Sequence, residues 1–351
     1  MNKILFSEHI PPKVGILPEG PHNRLSDVAG ITVGQVTLNQ GDIQTGVTVI
    51  YPHQQDLFLN KVAAGASVIN GFGKSIGLIQ LEELGTIETP IALSNTFAVP
   101  ILAQAQIRQA FTQHPQIGRE WSTVNPLVLE CNDGVLNDIQ ALAIQESHYT
   151  EACNCQQTHI EQGSVGAGRG MRSFGLKGGI GTASRYVTFK KDYLIGALVL
   201  SNFGALPYLH IQGHAIGQKI EALRQVEAHT DKGSIIIILA TDAPLDARQL
   251  KRLSMRAAAG LARTGSNYGH GSGDIAVAFS TTNRIPHDAS QSIPQPSFIH
   301  ETALNDFFNA AAEATEQAII NALWYATEIK GRNNYHCPTL KYYLHQLGLI
   351  G

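Results

Sequence analysis

"DKGSIIIILATDAP", residues 231–244, is the stretch on which the reading of this chain turns. A small hydroxyl residue, Ser234, stands between Gly233 and the large apolar run Ile235–Leu239. An uninterrupted apolar run of strand length, bounded by turn residues, reads as a strand buried on both faces. A Gly-Ser pair at the mouth of such a strand has two readings. It is a turn, or it is a peptide bond that the chain itself cuts, leaving Ser234 as a new amino terminus and a nucleophile.

Outward from that strand the pattern is strong. "YLIGALVLSN" (193–202) is a second continuous apolar run. "LDARQLKRLSMRAAAGLARTG" (245–265) predicts a helix with Leu250, Leu253, Ala257 and Leu261 on one stripe. Asp246 is placed to cap it, with Gln249 three residues on, and Gly265 to stop it. "DIAVAFSTT" (274–282) alternates as a strand, and an alanine-rich helix is expected over 301–331. The first third reads as short strands at 31–36, 46–52, 65–71 and 90–96, then a helix at about 98–112. A strand at 126–130, a short helix at 136–145 and a polar loop at 148–165 follow. Strands first, then buried strands mixed with alanine-rich helices, predict a layered α/β (α+β) domain. A four-layer sandwich of two sheets between helices accommodates this order, and a doubly wound parallel sheet does so less well.

Composition bounds the function. The 351 residues carry a net charge of −3 and 15% charged residues, which gives no basic footprint for nucleic acid or an acidic membrane surface. No run of 18 uncharged apolar residues suggests a membrane span, and Pro11-Pro12 breaks the apolar start too early for a secretory signal. Four cysteines do not make a disulfide framework, so the cytoplasm is the expected location. Cys153, Cys155 and His159 lack a partner pair at zinc-ligand spacing, and no metal is expected.

Several segments have the means for chemistry. The glycine-rich "GSVGAGRGMRSFGLKGGIGTASR" (163–185) lacks the Gly-Lys-Ser/Thr of a phosphate loop and the strand-to-helix context of a dinucleotide site. It reads as a closely packed loop, or as one lining an active site. "GHGSGDI" (269–275) sets Ser272 and Asp274 two apart, on one face of a strand. Asn202 ends a buried strand, where its amide is either a turn residue or an oxyanion donor. Glu130 and Asp133 lie in "LECNDG" (129–134). No Gly-x-Ser-x-Gly elbow or obvious His base is present. A serine without such a base can be activated by its own α-amino group once it is amino-terminal, since that amine has a pKa of roughly 7.7–8.0. Each motif is weak alone, and together they fit one mechanism.

The residues resemble a known family. "ITVGQVT", "TGVTVIYP", "NGFGKSIGLIQLEELGTIETPIALSNT", "DGVLNDI", the glycine-rich stretch, "SNFG", "GSIIIILATDAPL" and "RTGSNYGHGSGDIAVAFSTTN" are similar to the L-aminopeptidase/D-esterase and β-peptidyl aminopeptidase family. These are self-cleaving serine enzymes related in fold to ornithine acetyltransferases. The resemblance implies a single αββα domain over 1–351, like that of N-terminal nucleophile hydrolases but connected differently. It implies scission between Gly233 and Ser234 into segments 1–233 and 234–351 that stay associated. Ser234 matches the nucleophile, Asn202 the oxyanion-hole asparagine, and Ser272 with Asp274 the hydroxyl–carboxylate pair that helps activate it. Glu130 matches the acid that holds a substrate's free ammonium. It further implies a homo-oligomer, a small peptide, amide or ester substrate, and no cofactor. The chain departs from the family at Cys131-Asn132, where relatives often carry an aromatic before the aspartate that matches Asp133, so the resemblance does not carry over the first substrate pocket or its side-chain preference. An acyltransferase of the ornithine acetyltransferase type and a non-catalytic small-ligand or nucleotide-binding protein are the alternatives.

Overall fold

The computed structural model describes residues 5–224, 233–291 and 298–350, so Asp231 and Lys232 of the opening stretch lie outside the described residues. The chain first forms β1 (Thr32–Gln40), β2 (Ile43–Tyr51), β3 (Asn60–Gly71), α1 (Leu78–Leu84), β4 (Thr86–Ile87) and β5 (Ile91–Asn95). Then come α2 (Val99–Gln113), β6 (Leu127–Cys131), α3 (Glu146–Asn154) and the two-residue strands β7 (Arg172–Ser173) and β8 (Leu176–Lys177). The long strands β9 (Gly179–Phe189) and β10 (Lys191–Asn202) lead to α4 (Ile216–Arg224), β11 (Ser234–Thr241), α5 (Ala247–Arg263) and β12 (Gly273–Pro286). The chain closes with α6 (Leu304–Trp324), β13 (Ile329–Lys330), β14 (His336–Cys337) and α7 (Leu340–Gln346).

Strand β11 shows why the layers form. All eight of its residues are buried, so each face of the strand must meet an apolar layer. Ile235, Ile237 and Leu239 pack with Leu250, Leu253, Ala257 and Leu261 of α5 and with Ala311, Ala314 and Ala318 of α6. Ile236 and Ile238 face the other way, against Val33, Ile50, Leu93 and Leu129 of a second sheet. The far face of that second sheet, through Val47, Val49, Ala92 and Val128, packs on Leu102 of α2 and Tyr149 and Ala152 of α3. Helices, a six-stranded sheet, a four-stranded sheet and helices therefore stack in that order, the αββα sandwich expected from the sequence. Each large aliphatic side chain buried in these cores contributes about 1.5–3 kcal/mol.

The six-stranded sheet runs β4-β3-β12-β11-β10-β9 and the four-stranded sheet β1-β2-β5-β6. At the centre of the larger sheet, β11 and β12 are parallel, joined through α5, while β10 is antiparallel to β11. Small residues let the helix layer approach closely. A Cβ on Gly181 would lie 1.9 Å from the Ala318 carbonyl oxygen of α6, so only glycine fits there. Helix α5 begins as its sequence requires: the Asp246 carboxylate accepts the Gln249 N–H at 2.6 Å, and the Gln249 side chain accepts the Asp246 N–H at 3.2 Å. Among the described residues no helix is long and apolar enough to cross a membrane.

Three expectations need correction. Residues 136–145 are not a helix but a turn with a short 3₁₀ segment, Ile139–Ala141. Asn137 bonds Gln44 N–H and Asp133, and Asp138 takes the Gln140 N–H, so local side-chain bonds outcompete the helix. The polar stretch expected as a loop from 148 contains most of α3, whose Tyr149, Ala152 and Cys153 form a short buried stripe. Cys153 is buried and Cys155 exposed, so the two thiols part rather than converge. The last long helix ends at Trp324, not Gly331. Ser164 exchanges hydrogen bonds with the Thr327 backbone, 2.9 and 3.1 Å, and draws the chain out of helical register.

Candidate active site

Three strand ends meet at one edge of the larger sheet. Asn202, the last residue of β10, lies directly across from Ser234, the first of β11, and Ser234 pairs in parallel register with Gly273, the first of β12. Directly opposed residues project to the same face, with Cβ atoms about 4.5–5.5 Å apart. That face is the inter-sheet one, since Leu198 and Leu200 precede Asn202, and Ile236 follows Ser234, in the core between the sheets. Ser234 and Asn202 are buried to 6% and 7% exposure. The Gly273 N–H donates to Ser234 Oγ at 3.3 Å.

Gly233 is there for want of room. A Cβ on it would sit 2.1 Å from the Asn202 carbonyl oxygen and 2.4 Å from Phe203 Cα. The Gly233 Cα is thereby packed against the backbone at the end of β10, next to the bond that joins it to Ser234.

The amide of Asn202 has a fixed orientation. Arg172 N–H donates to its Oδ1 at 2.8 Å, and its Nδ2 donates to the Asn132 carbonyl at 2.9 Å. One contact needs an acceptor and the other a donor, so oxygen and nitrogen cannot exchange places. An NH₂ group has a second hydrogen to offer to an oxyanion.

Ser272 and Asp274 hydrogen bond to each other at 2.6 Å, both buried. Strand alternation puts Asp274 on the face of Ala276 and Ala278, toward the helix layer, opposite the face of Ser234. The pair therefore reaches the Ser234 hydroxyl through the backbone of Gly273 between them. The sequence spacing predicts that the two side chains share a face but not which face that is.

Glu130 comes from the smaller sheet. Its Oε1 accepts the Lys74 N–H at 2.8 Å, and its Oε2 accepts the Thr96 hydroxyl. A Cβ on Gly73 would lie 3.7 Å from Glu130 Oε1 and 3.9 Å from Gly273 Cα, so this buried carboxylate borders the same strand ends. Of the divergent pair that follows, Cys131 turns into the inter-sheet core and reaches the Leu200 carbonyl, while Asn132 is exposed and holds Asn202. Asn132 is thus the one that borders the site. Burial pushes the Cys131 thiol well above its usual pKa, with the Glu130 carboxylate adding to the rise.

The sequence reading misses two groups and names a third, Asp133, without giving it a part. The Arg172 contact comes from its backbone, which no residue type signals. Asp133 is buried, and burial lifts its carboxyl to about 7 against hydrogen bonds from Thr45 and Asn137. Lys177, part of the glycine-rich stretch, is fully buried, and burial pulls its ammonium down to about 7.

The sequence model of peptidase family S58 matches residues 23–337, most of the chain. The chain belongs to peptidase family S58. This S58 chain is 36% identical over 340 residues to a beta-peptidyl aminopeptidase of Sphingosinicella microcystinivorans, covering 90% of itself and 85% of that protein. It superposes on a beta-aminopeptidase of Burkholderia sp. with a TM-score of 0.87 at 36% identity, over 96% and 97% of the two chains. The L-aminopeptidase D-Ala-esterase/amidase of Ochrobactrum anthropi gives 0.87 at 32% identity, over 97% and 98%. That enzyme is described as a prototype for the serine aminopeptidases and a new variant of the Ntn hydrolase fold. The S58 chain shares this fold.

Proposed function

We propose that this chain is a serine aminopeptidase that cuts its own Gly233–Ser234 bond and then works through Ser234 as an amino-terminal nucleophile. Membership of family S58 and the aminopeptidases among its relatives support the hydrolase class. The single observation that carries the residue assignment is the register of Ser234 opposite Asn202, with Gly233 seated on the Asn202 backbone.

In the first event Ser234 Oγ attacks the Gly233 carbonyl carbon, and the hydroxyl proton passes to the departing Ser234 nitrogen. The product is an ester between Gly233 and Ser234 Oγ, with a free α-amine. Water hydrolyses the ester to a Gly233 carboxylate and restores the hydroxyl. The buried Asn202 amide meets the negative oxygen that develops on the carbonyl, where a preset donor is worth more than it is in water.

In the second event the freed amine, with a pKa of roughly 7.7–8.0, takes the proton of Ser234 Oγ as it attacks a substrate carbonyl. Ser272 and Asp274, bonded to one another behind Gly273, hold the strand start and its local charge. The leaving amine or alcohol takes up the proton, and water then resolves the acyl-enzyme. Glu130 binds the substrate's free ammonium, a charge-assisted contact that restricts cleavage to the amino-terminal residue of short peptides, amides or esters.

Intact-mass measurement with amino-terminal sequencing, on wild type and Ser234→Ala, tests the proposal. The expected result is two pieces of about 25 and 13 kDa from the 37.8 kDa chain, the smaller starting Ser-Ile-Ile-Ile, and an uncut, inactive variant. A wild-type chain that hydrolyses peptides while still whole rejects it.

A further inference from the structure

A strap of backbone, residues 168–178, is tied across the end of β10 at three successive residues. The Ser173 and Ser201 hydroxyls bond at 2.7 Å, the Arg172 N–H meets Asn202 Oδ1 at 2.8 Å, and the Phe174 N–H meets the Phe203 carbonyl at 2.7 Å. The Phe174 and Phe203 rings close the contact edge to face, 5.0 Å between centroids.

On its inner side the strap wraps one ammonium. Lys177, 0% exposed, donates to the carbonyls of Gly168 at 2.9 Å, Met171 at 2.8 Å and Gly178 at 2.8 Å. Three acceptors match the three donors of an ammonium, whereas a neutral amine has only two. This geometry favours the charged form against the pull of burial. Burying a cation among carbonyls is costly, and an apolar side chain would fill the same space without that cost.

The peptide unit between Met171 and Arg172 shows what the ammonium contributes. Its carbonyl accepts from Lys177 at 2.8 Å and from the Gly178 N–H at 3.0 Å, and its own N–H is the one that orients Asn202. A trans peptide is a rigid plane with C=O and N–H pointing opposite ways, and the described chain contains no cis bond. Fixing the carbonyl on one side therefore aims the N–H on the other.

We propose that Lys177 is a positioning residue for the reaction, holding the Met171–Arg172 peptide so that its N–H sets the Asn202 amide opposite Ser234. This rests on Asn202 being the oxyanion donor, as proposed above. Lys177 touches neither substrate nor the reacting atoms and acts only through that peptide.

The test follows self-scission of newly made chain by intact mass, which needs no prior activation, for Lys177→Met, Asn202→Ala and the double variant. Removing one oxyanion donor slows a reaction by about 10²–10³-fold, and misaiming it by about ten- to a hundredfold is expected for Lys177→Met. The double variant should be no slower than Asn202→Ala alone, because both changes remove one function. A general structural role would instead multiply the two effects. Wild-type scission by Lys177→Met, or multiplied effects, overturns the proposal for Lys177 while leaving Asn202 in place. Wild-type scission by Asn202→Ala rejects the donor itself. Lys177→Gln, which keeps two N–H donors, should fall between Lys177→Met and wild type. Should both Lys177 variants fail to fold, hydrogen exchange on the wild-type protein decides: the Arg172 amide should exchange as slowly as those of β10, and exchange at the rate of a free loop refutes the strap.

Discussion

Replacing Gly233 by alanine changes one hydrogen to a methyl group and tests the scission geometry at its tightest point. The added Cβ would fall 2.1 Å from the Asn202 carbonyl oxygen, 2.4 Å from Phe203 Cα and 2.9 Å from the Asn202 carbonyl carbon. All three are backbone atoms at the end of β10, held by the Asn202–Ser234 pairing and by the Phe174 N–H on the Phe203 carbonyl, so they cannot swing aside as a side chain would. Restoring an ordinary 3.4 Å contact needs a displacement of about 1.3 Å, and residue 233 is the one able to move. Its carbonyl is the one Ser234 must reach, and a misplacement of about 1 Å costs on the order of 10²-fold in rate. A time course of intact mass after synthesis should show Gly233→Ala maturing about a hundredfold more slowly than wild type. Once cut, residue 233 is a chain end free to relax, so the matured fraction should keep wild-type kcat and KM. Scission at the wild-type rate, or a matured enzyme with depressed kcat, refutes the reasoning.

Two further outcomes are expected. Glu130→Gln preserves an acceptor for the Lys74 N–H and removes the charge, so KM for substrates with a free amino terminus should rise by about 10- to 100-fold, the worth of a hydrogen bond to a charged group of ~1.5–3 kcal/mol. An ester with a blocked amine should show no such change, and equal effects on both substrates would remove Glu130 from ammonium binding. Asp133 is raised from 3.8 to about 7 by burial, so folding favours its neutral form. The stability this gives is complete below pH about 4 and is lost as pH rises toward 7, up to about 4 kcal/mol. Asp133→Asn abolishes that loss, and its Tm advantage over wild type should grow from pH 4 to pH 7 and then level off. A difference independent of pH would mean that Asp133 is charged in the folded protein.

The sequence reading was sound where the signal is local. The β11 run, the Asp246–Gln249 cap and the α5 stripe each depend on neighbours within one or two turns, and their periodicity reports burial directly. It failed where distant contacts overrule local preference. Helix α3 owes its burial to three residues, one of them a cysteine easily taken for chemistry, and the 136–145 turn follows bonds from Asn137 to Gln44 and Asp133.

The site divides in the same way. Ser234, Gly233, Asn202, Glu130 and the Ser272–Asp274 pair could be named as candidates from sequence because their residue types stand at strand ends, and the fold gathers them around three neighbouring strand ends. That Asn202 lies opposite Ser234, and that Asp274 turns away from it, depends on strand register across a sheet whose members are far apart in the chain. The Arg172 N–H and the carbonyls around Lys177 belong to groups every residue carries, so only the folded backbone distinguishes them. Sequence alone singled out the side chains proposed for the chemistry and determined which segments must be buried. Tertiary structure decided where those side chains point, because pairing register and backbone hydrogen bonds are properties of two segments brought together and are encoded in neither segment by itself.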